Sequence, residues 1–94
     1  GLHVTYDTLL SLTKEFLESI NREIKALEDA LKSENFRIAT GLIHKLKGSS
    51  GNLRLNILSK LCKDAEVVIK QSEVPHSLLR EIKNEISLLV QRIK

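Results

Sequence analysis

Apolar residues recur along this chain at intervals of three and four, the spacing that lines one face of an α-helix. Leu9, Phe16, Ile20, Ile24, Leu27 and Leu31 mark a long first helix from near Thr8 to Lys32, with Thr5 or Asp7 able to cap its start. Ser33 is the next cap candidate. Phe36, Ala39, Ile43 and Leu46 then form the stripe of a second helix, which Gly51 and Asn52 bring to an end. Leu58, Leu61, Ala65, Val68 and Ile69 carry a third helix to about Gln71. Ser72-Glu73-Val74-Pro75 breaks the chain, and Pro75 suits the first turn of a fourth helix with the stripe Leu78, Ile82, Ile86, Leu89 and Ile93. The pattern predicts helices over about residues 7–32, 34–51, 54–71 and 75–93. Four amphipathic helices on short connections predict one all-α domain over residues 1–94, an antiparallel up-down four-helix bundle.

Composition supports that reading mainly by exclusion. A chain of 94 residues has room for one core. Four Gly and one Pro are too few for the turns of a many-stranded sandwich or barrel. The single Cys62 excludes an internal disulfide and any multi-cysteine zinc site, which points to a reducing compartment. No apolar run reaches the roughly 18 residues of a membrane span, and no signal-peptide core is present. A start at Gly1 rather than Met predicts a piece excised from a larger protein.

The net charge of +3 is unevenly spread. Residues 1–34 carry seven acids against four bases, and residues 64–94 carry five of each. Between Asn35 and Lys63 there is no acid, but there are six bases: Arg37, Lys45, Lys47, Arg54, Lys60 and Lys63. A one-sidedly positive middle favours an acidic or phosphorylated partner, although a solvated basic face would show the same composition.

Most catalytic chemistry is missing. There is no phosphate-cradling glycine loop, and His3, His44 and His76 are too far apart in sequence for a zinc pair. Cys62, beside an apolar stripe, reads as a small buried hydrophobe. His3 falls in a terminus expected to fray and His76 in a helix first turn, both ordinary surface positions. His44 differs. On a helical wheel it lies about 140° from the centre of the second helix's apolar stripe, out on the solvent side. Arg37, Thr40, Gly41, Lys47, Gly48 and Gly51 share its quadrant, so three of the four glycines gather round one exposed imidazole. Glycine within a helix costs about 1 kcal/mol relative to alanine, so their presence calls for a reason. A bare helix surface lets another protein's backbone come close to the ring. Gly51 can also serve as a helix stop, which leaves Gly41 and Gly48 as the main support. Lys47, one turn on, can place an ammonium beside whatever the imidazole carries. An imidazole of this kind is largely a neutral nucleophile near neutral pH.

The segment His44-Lys45-Leu46-Lys47-Gly48-Ser49-Ser50-Gly51-Asn52-Leu53 resembles the signature of histidine-containing phosphotransfer (HPt) domains, the four-helix carriers of phosphorelays. Ala39 before the histidine, and Leu58, Leu61 and Glu66 after it, are similar to the family's pattern. Arg54 departs from it, standing where the family often has Gly, and Gly51 and Asn52 are then expected to supply the left-handed turn position.

The resemblance implies that His44, through Nε2, attacks a phosphoryl group on the aspartate of a response-regulator receiver domain. The phosphohistidine then hands that group to a second receiver's aspartate, nucleophilic catalysis with the histidine as relay. Lys47 would stabilise charge on the phosphoryl oxygens. Lys45 and Arg37 would add longer-range attraction, with Thr40, Gly41, Gly48 and Gly51 completing the docking face. The domain would need no cofactor and no metal of its own, Mg²⁺ coming with the receiver. It would work as a cytoplasmic monomer, free-standing or as the cytoplasmic module of a membrane-bound hybrid sensor kinase, without touching membrane or nucleic acid. A helical adaptor without chemistry is the first rival reading. A nucleic-acid-binding bundle is the second, weakened by three aromatic residues and a small net charge. A kinase dimerisation domain is the third.

Overall fold

The chain turns through four helices, α1 (Tyr6–Lys32), α2 (Phe36–Asn52), α3 (Asn56–Lys70) and α4 (His76–Ile93), in a computed structural model that describes residues 5–93. His3 lies outside those residues, and no strand occurs among them. Thr5 caps α1, its Oγ1 accepting from the Thr8 amide at 3.1 Å. The cap of α2 is Asn35 and not Ser33: Asn35 Oδ1 accepts from the Ile38 amide at 3.3 Å, while Ser33 closes the preceding helix. Pro75 stands immediately before α4 and not within it, and its carbonyl accepts from the Leu79 amide.

The first three helices end alike. Glu34, Arg54 and Ser72 each take a left-handed backbone, with φ of 57°, 61° and 60°. In each case the next residue's amide reaches back to the helix: Asn35 to the Ala30 carbonyl at 2.8 Å, Leu55 to Ser50 at 2.9 Å, Glu73 to Val68 at 3.4 Å. The left-handed residue itself bonds to Leu31, Gly51 or Ile69 respectively. This is the Schellman arrangement, which satisfies the last carbonyls of a helix and usually employs glycine at the left-handed position. No glycine among the described residues has a positive φ. The expectation that Gly51 or Asn52 supplies this turn is therefore wrong: both remain helical and Arg54 bends. The same turns explain why α2 and α3 each begin two residues later than their periodicity suggests.

Each helix packs against its neighbour in sequence, α2 and α3 most extensively, and α1 meets α4 along a thinner seam. Leu27, Ile43, Leu58, Ile69 and Ile82 are fully buried at the centre, one or two from each helix. Truncating any of them to alanine removes about 2–5 kcal/mol, a large part of the stability of a domain this size. Cys62 is part of this core and its thiol is pushed up to about 12 by burial, so it is an inert hydrophobe. The stripes hold in outline. Leu9, Phe16, Phe36, Leu61, Val68, Leu78 and Ile93 are half-buried at the margins, whereas Thr13, Leu17 and Leu79 are buried although the periodic reading passed over them.

Candidate functional site

The close contact of α2 with α3 builds the site. Ser50, fully buried, turns its hydroxyl back to the Leu46 carbonyl at 2.7 Å and so leaves no polar atom unpaired against α3. Ser59 of α3 donates across the gap to the Lys47 carbonyl at 3.2 Å. A Cβ on Gly51 would lie 3.3 Å from Ser59 Oγ, so this glycine serves the close approach of the two helices. Gly41 and Gly48 are different. A Cβ at either would meet no atom within 4 Å, so both face open space.

His44 projects from this bare stretch with 67% of its side chain exposed. Its Nδ1 lies 3.0 Å from Oε2 of Glu66, a carboxylate presented by α3 with only 6% of its side chain exposed. The other carboxylate oxygen, Oε1, accepts from Lys47 Nζ at 2.8 Å, and Lys70 Nζ lies 3.6 Å from Oε2. Burial raises the Glu66 pKa. The hydrogen bonds from Lys47 and His44 and the charges of Lys47 and Lys70 outweigh that, and the carboxyl is held below its ordinary value. Glu66 is therefore ionised near neutral pH and can only accept hydrogen bonds. The hydrogen bond between it and the ring is therefore donated by Nδ1, and in the neutral ring this tautomer leaves Nε2 with its lone pair. In that tautomer the exposed, oriented imidazole presents Nε2 as a ring nitrogen able to act as a nucleophile.

The other residues singled out by sequence sort themselves around this centre. Lys47 is half-buried and belongs to the cluster. Lys45, on the adjoining side of α2, pairs with Glu23 of α1 at 3.5 Å. Thr40 is half-buried, its hydroxyl bonded to the Phe36 carbonyl at 2.7 Å. Arg37 is exposed, two turns before His44 on α2. Among the described residues no group of three or more His, Cys, Asp or Glu side chains is placed to hold a metal ion. No helix among them is long and apolar enough to cross a membrane.

The model of the Hpt domain family matches residues 11–92, nearly the whole of this four-helix chain. The chain belongs to the Hpt domain family. Its class is therefore histidine phosphotransfer in two-component phosphorelays. Neither the curated proteins nor the solved structures include a match to it.

In this Hpt domain the site residue that sequence reasoning left out of the chemistry is Glu66. Its signal was present. Leu58, Cys62, Ala65, Glu66 and Ile69 follow the helical repeat, so an acid occupies a buried-face position of α3. An acid placed there needs a partner, and the exposed His44 and the half-buried Lys47 of the neighbouring helix supply it.

Proposed function

We propose that His44 is the phosphoacceptor of this Hpt domain, taking a phosphoryl group from the aspartate of one receiver domain and passing it to that of another. The observation that carries this reading is the Nδ1–Glu66 contact, which frees Nε2 on an exposed ring. In the forward step the Nε2 lone pair forms the N–P bond as the aspartyl P–O bond breaks, and the bonding electrons leave with the carboxylate. The Nδ1 proton stays on the ring, where Glu66 balances the positive charge that develops. Transfer to the second receiver reverses these steps, with neutral imidazole as the leaving group.

Lys47 is preorganised by Glu66 and has N–H groups to spare for the phosphoryl oxygens. Gly41 and Gly48 leave the approach to the ring open, and Arg37 and Thr40 flank it on α2. Lys45 adds positive potential from the α1 side, and Gly51 contributes by letting α3 bring Glu66 close. The acid-free stretch from Asn35 to Lys63 suits a receiver site rich in carboxylates, and Mg²⁺ belongs to that partner. An alternating up-down order of the helices is part of the same reading. It is supported by the short connections and by α3 meeting α2 in reverse, Ser59 at Lys47 and Glu66 at both Lys47 and His44. We assign the domain to the cytoplasm as a monomer, where receivers and a reducing environment are found.

The test is phosphorylation by a labelled phospho-receiver. The expected product is acid-labile and base-stable, as a phosphoramidate is, and His44→Gln abolishes it while leaving helicity and melting temperature nearly unchanged. Label that survives in His44→Gln refutes the assignment. A receiver that binds without transferring its label supports the adaptor reading instead.

A further inference from the structure

Among the described residues, Ser59 and Glu66 make the hydrogen bonds from α3 to α2, and they grip different things. Glu66 takes side chains, the His44 ring and the Lys47 ammonium. Ser59 takes the main chain, donating from Oγ to the Lys47 carbonyl at 3.2 Å. A hydroxyl on a helix ordinarily turns back to a carbonyl one turn earlier in its own helix. Thr13, Thr40, Ser50 and Ser87 all do so, to Leu9, Phe36, Leu46 and Lys83. Ser59 crosses instead, and Gly51 makes room for it. A Cβ on Gly51 would lie 3.3 Å from Ser59 Oγ and would meet nothing else within 4 Å beyond its own helix.

Ser59 and Glu66 lie two turns apart on α3, about 10 Å along its axis. Lys47 is held by both, at its carbonyl by Ser59 and at its ammonium by Glu66. The two holds differ in kind. The side chains of Lys47 and His44 can follow the carboxylate if α3 slides, whereas the carbonyl is part of the α2 backbone and cannot. Burial of the apolar faces is non-directional, so the link to the backbone adds the directional constraint on register. We propose that Ser59 is a positioning residue for His44, fixing α3 along α2 at the height where Glu66 Oε2 stands 3.0 Å from Nδ1. This rests on His44 being the phosphoacceptor. Ser59 bonds to neither the ring nor the carboxylate and acts through the helix that carries Glu66. A hydrogen bond weakens steeply with distance and angle, so a slip of α3 frees the ring to carry its proton on Nε2 instead. That tautomer has no lone pair on Nε2 for the phosphoryl group.

The experiment reads the ring first and transfer second. At mildly alkaline pH, where an imidazole is neutral, long-range ¹H–¹⁵N spectra report which nitrogen of His44 carries the proton. Single-turnover transfer from a labelled phospho-receiver is then measured on the same samples. The parent should hold its proton mainly on Nδ1. Ser59→Ala should lower that preference and the transfer rate together, about two- to tenfold, the range of one neutral hydrogen bond. Gly51→Ala, which crowds the hydroxyl, should do the same. Once Ser59→Ala has removed the hydroxyl, Gly51→Ala should add nothing, so the two substitutions are non-additive. Ser87→Ala on α4, which removes a hydroxyl bonded within its own helix, should leave ring and rate unchanged. A folded Ser59→Ala with the parental tautomer and rate overturns the proposal alone, whether or not its melting temperature falls. A parent ring without preference for Nδ1, or one so held that takes no label at His44, overturns both this proposal and the reading on which it rests.

Discussion

Replacing Gly48 should separate the needs of the fold from those of transfer. Two structural reasons could require glycine at this position, a left-handed backbone or a neighbour too close for a Cβ. Neither applies: Gly48 lies inside α2 without a positive φ, and an added Cβ meets nothing within 4 Å. What remains is the entropic cost of glycine within a helix, so Gly48→Ala should stabilise the domain by about 1 kcal/mol. For a domain of this length that is about 4–8 °C in melting temperature. Gly41→Ala should do the same. The two sites are about 10 Å apart along the helix and share no partner, so the double substitution should add to about 2 kcal/mol. Gly48→Gln keeps a smaller helix gain but places a long side chain about 40° around the wheel from His44. Held away from the ring, a receiver's aspartyl phosphate should transfer about ten- to a hundredfold more slowly, because phosphoryl transfer tolerates little misplacement. Urea or thermal melts and single-turnover transfer, read on the same samples, test both halves. The reasoning fails if Gly48→Ala is destabilised, or if Gly48→Gln transfers at the parent rate.

Lys47→Ala should leave the bundle folded and slow transfer about tenfold, about 1.4 kcal/mol, in single-turnover assays; an unchanged rate would make Lys47 a surface charge only. Glu66→Gln should slow transfer by a similar factor and also destabilise the domain, because Lys47 loses its carboxylate. The Glu66 carboxyl is depressed in the folded state, so its contribution is fully present above the unfolded value of about 4.3 and disappears as pH falls through the lower folded value. Urea midpoints of parent and Glu66→Gln should thus differ by a constant amount between pH 5 and 8 and converge below about pH 4; a gap that widens on acidification contradicts the ion-pair account. Arg54→Gly should gain up to about 1 kcal/mol, the left-handed penalty of about 1–2 kcal/mol less the extra chain entropy of glycine, whereas Arg54→Ala should gain nothing. Equal melting temperatures for these two variants would show that Arg54 bears no strain.

Helix number, order and most of the core could be read from the sequence because the apolar repeat is strong in every segment. The boundaries could not, and for one reason. Glu34, Arg54 and Ser72 occupy turns that usually announce themselves with glycine, so the periodic reading ran α2 and α3 back into them. Likewise Ser33 resembles a cap, but the turn at Glu34 moves that task to Asn35. His44 was legible because its neighbours violate helix propensity, and Gly41 and Gly48 have no structural duty to explain them. Gly51 was grouped with them on the wheel, which shows direction but not distance, and so could not show α3 arriving 3.3 Å away. Glu66 was missed as chemistry because a charged residue on a helix is ordinarily solvated. Only the packing of α3 on α2 turns Glu66 inward.

The contact between His44 and Glu66 spans twenty-two residues of chain and two helices. A peptide of α2 alone would contain the whole H-x-L-K-G segment and yet lack the group that keeps the proton on Nδ1. On the proposed reading, relay competence is a property of the folded α2–α3 pair, and a nascent, nicked or partly melted chain lacks it although its motif is intact. Because α1 and α4 meet along the thinnest seam, loosening there could proceed far before the signal is lost. On the same reading, a break between α2 and α3 removes it at once, because the His44–Glu66 contact is lost with the packing of the two helices.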